Sequence, residues 1–252
     1  MTTCKSMYSL NLGETYVKGA RLAFDKAVIF DDIDIRLVTD GWTCLLGQSG
    51  VGKSSLLRLI AGLENEATAS ELVFAGDSNP DGKITYMAQQ DLLMPWLTLA
   101  ENVSIGSRLR KNFSPENLAL AHDLLERVGL GKETQSYPSS CSGGMRQRAA
   151  LARTLFEDRQ IVLMDEPFSS VDAITRLGLQ DLAAEILSGK TVLLVTHDPQ
   201  EALRMGDQIL VMRGNPAKIE ILADLPSGKR PRELDGAGMA QGRAEILEKI
   251  RG

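Results

Sequence analysis

Residues 42–54 read Trp42-Thr43-Cys44-Leu45-Leu46-Gly47-Gln48-Ser49-Gly50-Val51-Gly52-Lys53-Ser54: a short apolar run, then a glycine-rich turn ending in Lys-Ser. The turn fits GxxxxGK[ST]. Beyond it, Lys53 to Leu63 places Leu56, Leu57, Ile60 and Leu63 at three- and four-residue spacing, which predicts an amphipathic helix ended near Gly62. Strand, glycine turn and helix in that order make an anion nest, because the glycines let backbone N–H groups point inward above a helix N-terminus. Lys53 can reach β- and γ-phosphates, the Ser54 hydroxyl can ligate Mg²⁺, and Ser55 opens the same helix. Residues 47–55 are therefore read as a nucleoside triphosphate site.

Two further apolar runs, Ile161-Val162-Leu163-Met164 and Thr191-Val192-Leu193-Leu194-Val195, have the unbroken character of strands covered on both faces. Each runs into a polar cluster, Asp165-Glu166-Pro167-Phe168-Ser169-Ser170 and Thr196-His197-Asp198. Ligands of open parallel sheets sit beyond the carboxyl ends of strands, so the three clusters predict one site in an α/β fold. Asp165 is placed for a Mg²⁺ contact, and Glu166 beside it for polarising a water toward the γ-phosphate. His197 can hydrogen-bond that phosphate, although a lone histidine at such a place is more often structural. His122 reads as a surface residue.

From Gln89 to Met145 the periodicity is helical, with no convincing strand. Ser114 and Pro115 open a helix through Leu118, Leu120, Ala121, Leu124, Leu125 and Val128, closed by Gly129. Val28–Leu37, with alternating Ile33, Ile35 and Leu37, and Glu71–Phe74 read as flanking antiparallel strands. Gly228-Lys229-Arg230-Pro231-Arg232 marks a break before a last helix, Gly242–Ile250. The predicted organisation is an α/β core from 1–88 and 149–225, a helical subdomain at 89–148 and a C-terminal tail and helix at 226–252.

Composition narrows the function classes. Of 252 residues, 43% are hydrophobic and 24% charged, which excludes disorder as the main state. The net charge of −5 disfavours generic nucleic-acid binding, which rests on neutralising phosphates. No apolar run approaches the ~18–20 residues of a membrane span, and no secretory signal is visible at the N-terminus. Cys4, Cys44 and Cys141 are odd in number and widely spaced, and read as free thiols in a reducing compartment.

Cys141-Ser142-Gly143-Gly144-Met145-Arg146-Gln147-Arg148 resembles the LSGGQ signature of ATP-binding cassette (ABC) ATPases. Gln89, Asp165-Glu166, Asp172 and His197 follow the family's order, so the resemblance covers nearly the whole chain. It implies a P-loop NTPase core, mainly a parallel sheet with flanking helices and an antiparallel edge, carrying an inserted helical subdomain. It also implies Mg-dependent ATP hydrolysis by a head-to-tail dimer. Ser142, Gly143 and Gly144 would then hold the γ-phosphate bound to a second copy, through backbone N–H groups at a helix start. Gln89 would touch Mg²⁺ and the attacking water, Glu166 would be the base, His197 the switch histidine and Asp172 the link across the dimer. Phe24 matches the aromatic that stacks on adenine, a position that suits a core residue equally well. Cys141, Met145, Ser55 and Ser170-Val171 depart from the family pattern without removing a group needed for hydrolysis.

Leu92-Leu93-Met94-Pro95-Trp96-Leu97-Thr98, Glu101-Asn102-Val103, Leu225-Pro226 and Arg230-Pro231-Arg232 resemble the nitrate, sulfonate and taurine importers and their thiamine-precursor relatives. The resemblance implies a peripheral subunit on the cytoplasmic face of the membrane. Its partners would be an integral membrane permease and, indirectly, a periplasmic or extracellular substrate-binding protein. Leu93, Met94, Pro95 and Trp96 would rim the permease groove, or else pack inside the helical segment. The competing readings are a soluble non-transport ABC ATPase on ribosomes or DNA, which usually carries two cassettes or a long coiled coil, and a small-molecule kinase.

Overall fold

The apolar run at 42–46 becomes β3 (Trp42–Gly47), buried throughout, in a computed structural model that describes residues 13–24, 27–64, 66–75, 77–222, 225–236 and 238–251. β8 (Thr191–Val195) and β9 (Gln208–Gly214) flank β3 in parallel, and β7 (Ile161–Asp165) and β6 (Ile84–Met87) extend the parallel set beyond β8. Successive residues of these strands face opposite ways, as strand geometry requires. Trp42, Cys44, Leu46, Val162, Met164, Val192 and Leu194 join one core. Leu45, Ile161, Leu163, Leu193 and Val195 join the other. That double burial is why the runs are continuous in sequence.

One core is roofed by α1 (Lys53–Ile60) and by an antiparallel edge of β1 (Thr15–Phe24) and β2 (Ala27–Leu37). Residues Ile33, Ile35 and Leu37 point into it, as their alternation predicts. β4 (Ala67–Thr68) and β5 (Glu71–Val73) pair antiparallel with β1. β10 (Ala217–Ile221) pairs antiparallel with β9 and meets β2 at Ala217 and Phe30, joining the edge to the parallel sheet. The other core is covered by α5 (Gly143–Phe156), α6 (Ala173–Ile186), α7 (Pro199–Met205) and α8 (Met239–Arg251).

Between β6 and β7 the described chain is helical, with α2 (Leu99–Val103), α3 (Ile105–Leu109) and α4 (Pro115–Arg127) preceding α5. Ser114 caps α4: its hydroxyl accepts from Asn117 N at 3.4 Å, and Ser114 N donates to Asn117 Oδ1 at 3.0 Å. α1 ends as its sequence predicts, with Gly62 at φ 70° and Leu63 N donating to Arg58 O.

Several details differ from the sequence reading. Leu63 and Leu120 are exposed, because α1 stops before Leu63 and Leu120 faces away from α5. His122 is half-buried. β1, β4, β6, β9 and β10 were not predicted. The alternation of β1 is broken by register shifts around Ala20 and Leu22, whereas the apolar run Ile209–Met212 in β9 is a signal that was there to be read. The last helix starts at Met239, ahead of Gly242. The 148/149 division falls inside α5, one continuous helix. The 226–252 stretch is tied to the core, with Arg232 Nη1 donating to Leu203 O and Gly206 O at 2.8 and 2.7 Å. Cys44 and Cys141 are buried free thiols; Cys4 lies outside the described residues.

Candidate functional site

The turn between β3 and α1 is forced by geometry as much as by composition. Gly52 has φ 107°, and a Cβ there would come within 3.0 Å of Ile29 Cγ2 and Phe30 Cδ1. Only glycine gives both that backbone angle and that close approach. Lys53 is buried, and its Nζ donates back to Gly47 O at 2.8 Å and Gln48 O at 2.9 Å, arching over the loop. Burial lowers the Lys53 pKa, while the nearby Glu166 and Asp165 charges pull it up. A cavity of about 170 Å³ opens here, lined by Gly50, Gly52, Lys53, Ser54 and Ser55 with Leu22 and Ile29. Gln48, Ser49 and Val51 line a neighbouring cavity of about 480 Å³, where Gln48 Nε2 donates to Ile250 O of α8 at 3.1 Å.

The ends of β7 and β8 bring the carboxylates to this loop. Asp165, the last residue of β7, is buried, which raises its pKa; the Ser54 hydroxyl bonded to it and the Lys53 charge oppose that rise. Glu166 follows with φ 50°, a left-handed conformation that costs a non-glycine residue about 1–2 kcal/mol. Its N–H donates to Val195 O of β8 at 2.9 Å. Its carboxylate accepts from Gln89 Nε2 at 3.3 Å on one oxygen and lies 3.1 Å from His197 Nδ1 on the other. Gln89, Glu166 and His197, distant in sequence, are one contact chain, and Ser54 with Asp165 is a second.

The oxygen donors Ser54 and Asp165 suit a hard divalent cation that keeps other ligands on substrate phosphates. No group of three or more His, Cys, Asp or Glu among the described residues is placed to cage an ion alone. The donor set therefore fits Mg²⁺ brought by a nucleotide better than a resident metal.

Ser142 caps α5, accepting from Met145 N at 3.2 Å, and Ser142 and Gly143 are exposed. None of Ser142, Gly143 or Gly144 lines the cavity at Lys53. Gly143 instead borders a separate cleft of about 410 Å³ with Gln89, Leu92, Arg146 and Gln147. Asp172 caps α6, accepting from Thr175 N at 3.0 Å, and that bond lowers its pKa. Phe24 ends β1, but its side chain lies outside the described residues. Trp96 is 70% exposed and Pro95 is exposed, whereas Met94 is half-buried and Leu93 is core. The difference arises at buried Asn102. Its side chain bonds Met94 N and O, Leu97 O and Thr98 O, and so wraps the loop with Trp96 outward.

Three residues of α5 were not singled out from the sequence. Arg146 Nε donates to Asp91 Oδ2 at 3.0 Å, and Arg153 donates to Asp91 O and Leu92 O at 2.6 and 2.8 Å. Gln147 bonds the turn after Glu166. The arginines hold the segment carrying Gln89 to the helix that follows Ser142. Arginines in a helix give no sequence signal of their partners.

A family model described as ABC transporter matches residues 30–169. An ABC transporter ATP-binding protein of Haemophilus influenzae is 40% identical over 94% of this chain and 98% of its own length. Proteins named aliphatic sulfonates import ATP-binding protein SsuB are 37% identical in Rhodopseudomonas palustris, over 93% of this chain and 82% of theirs, and 39% identical in Pseudomonas syringae pv. tomato, over 91% and 95%. A solved ATP-binding cassette, described as a dimeric post-hydrolysis state bound to ADP and Pi, superposes with a TM-score of 0.71 at 26% identity, covering 84% of this chain and all of that one. With the phosphate loop, the paired carboxylates and the helical segment in one fold, the chain belongs to the ABC transporter family.

Proposed function

We propose a residue-by-residue mechanism for this chain, an ATP-hydrolysing, energy-coupling subunit of an ABC importer. The observation that carries it is the seating of Glu166 between Gln89 and His197, beside a loop where Lys53, Ser54 and Asp165 meet. The triphosphate of ATP lies on the loop N–H groups of residues 47–55, with Lys53 Nζ on its β- and γ-oxygens. Ser54, Asp165 and Gln89 would hold Mg²⁺, which would supply charge neutralisation at the phosphates. Glu166 takes the proton of the attacking water, and His197 and Gln89 fix the direction of its carboxylate. Phosphoryl transfer asks little covalent chemistry of the protein, so this positioning is the main contribution.

The start of α5, Ser142-Gly143-Gly144, completes the site on a second, head-to-tail copy, its N–H groups facing that copy's γ-phosphate. That none of the three lines the cavity at Lys53 of its own chain supports this reading. Asp172 reports across the same interface, and Phe24 stacks on adenine. Residues 89–148 act as the partner-sensing unit on a core of 1–88 and 149–225, presenting Leu92 and Trp96 to a membrane permease. The subunit then lies peripherally on the cytoplasmic face. The named SsuB relatives support an importer of the sulfonate group, fed by a substrate-binding protein. No helix among the described residues is long and apolar enough to cross a membrane.

The test is Glu166→Gln. It keeps size and hydrogen bonding, cannot take a proton, and removes a charge facing the γ-phosphate. ATP binding should persist, hydrolysis should fall at least ~100-fold, and an ATP-bound dimer should accumulate on gel filtration with Mg-ATP. Turnover near the wild-type rate would overturn the role given to Glu166.

A further inference from the structure

We infer that Gln147 is a positioning residue for Glu166, tying the start of α5 to the backbone that aims the carboxylate. Gln147 is buried, yet nothing in the mechanism above uses it. Its amide bonds at both ends to one turn: Nε2 donates to Glu166 O at 2.8 Å and Ser169 Oγ at 3.4 Å, and Oε1 accepts from Ser170 N at 2.9 Å.

That turn needs an external hold. Glu166 sits at φ 50°, a conformation that persists in a non-glycine residue only where its surroundings over-determine it. Its N–H is fixed by Val195 O of β8, and its carbonyl accepts from Gln147 Nε2 and, at 3.1 Å, from Ser169 Oγ. One residue is thus gripped by the sheet through the peptide before it and by α5 through the peptide after it. The α5 start is braced in turn by Arg146 on Asp91, two residues from Gln89. The carbonyl side of Glu166 and Gln89 therefore take their position from the opening turns of α5, while His197 and the hold on the Glu166 N–H come from β8 and its end. Without the Gln147 amide, Glu166 can leave the left-handed region and its carboxylate can swing off Gln89 and His197. The inference rests on the reading of Glu166 as the group that activates water.

A double-mutant cycle tests it. Gln147→Leu keeps volume and removes both ends of the amide; kcat should fall roughly tenfold or more while ATP affinity stays within about twofold, since no phosphate ligand is touched. In the Glu166→Gln background, Gln147→Leu should add no further loss, because a residue acting through Glu166 has nothing left to position. Should Gln147→Leu fail to fold, Gln147→Glu keeps the length and the acceptor for Ser170 N–H, lacks the donor to Glu166 O, and should show the same pattern. Unchanged kcat, or losses that multiply in the double variant, would overturn the inference alone. Near-wild-type hydrolysis by Glu166→Gln would overturn the reading of Glu166, and the inference with it.

Discussion

Lys53 and Ser54 open α1 beyond the loop that follows β3, and Asp165 ends β7, in the middle of a parallel sheet buried on both faces. Ser142 and Trp96 stand on a helical segment, exposed, with arginines and Asn102 holding the loops around them. The strand-end groups are placed by the backbone itself: neighbouring strands fix where each residue ends, and burial lowers the Lys53 pKa and raises that of Asp165. The helical groups are placed by side chains reaching across loops, and their faces are left open. A site built the first way gathers its charged groups from distant parts of one chain. A surface built the second way suits contact with another chain.

The comparison breaks most visibly at Lys53. Lys53→Ala removes a buried cation from the strand-end site, and a lost charge-assisted hydrogen bond costs about 1.5–3 kcal/mol. ATP affinity should drop at least ~tenfold by calorimetry and hydrolysis should be abolished; wild-type affinity would show that the loop binds phosphate without it.

Glu201 sharpens the core side. It lies on α7, almost wholly buried, and burial pushes its pKa up to about 7 with Asp198 adding to the rise; hydrogen bonds from Thr196 and Gln180 and the Arg176 charge oppose it. A raised folded-state pKa means this carboxyl's contribution to stability is full below its ordinary value near 4.5 and is lost as pH climbs to about 7. The stability difference between wild type and Glu201→Gln should therefore shift against the wild type by roughly 3 kcal/mol between pH 4.5 and 8. Urea denaturation of both proteins across that range measures it. A constant difference would mean that Glu201 keeps its charge throughout.

In the helical segment effects should be smaller. Ser114→Ala removes the α4 cap and should cost about 1 kcal/mol in thermal or urea unfolding, with ATPase activity unchanged. Trp96→Ala should cost less than ~0.5 kcal/mol, since the ring is already exposed, and should leave ATP turnover intact while weakening assembly with the permease in pull-down. Loss of stability and turnover together would place Trp96 in the packing of the segment.

Much of this contrast was legible in the sequence. Three apolar runs ending in Gly47, Asp165 and Thr196 were readable as strands because they need apolar residues on both faces. The Gly52-Lys53 turn was readable because its backbone angles admit so few residues. Ser114 and Gly62 announced helix ends, because caps are local chemistry. β1 was hidden where its register shifts broke the alternation, and Leu63 misled because spacing alone does not tell where a helix stops.

The phosphate-loop motif and the Asp165-Glu166 pair are legible in the sequence, since backbone geometry and strand burial leave their mark within a few neighbouring positions, and the stretch Cys141–Arg148 carries the family resemblance. The meeting of Gln89 and His197 on Glu166, the bond from Gln147 to the Glu166 carbonyl, and the burial of Leu93 beside an outward Trp96 are visible in the fold alone. These contacts join residues far apart in the chain through single hydrogen bonds. A hydrogen bond constrains its two partners in space but writes no periodicity between them, so no local pattern foretells it.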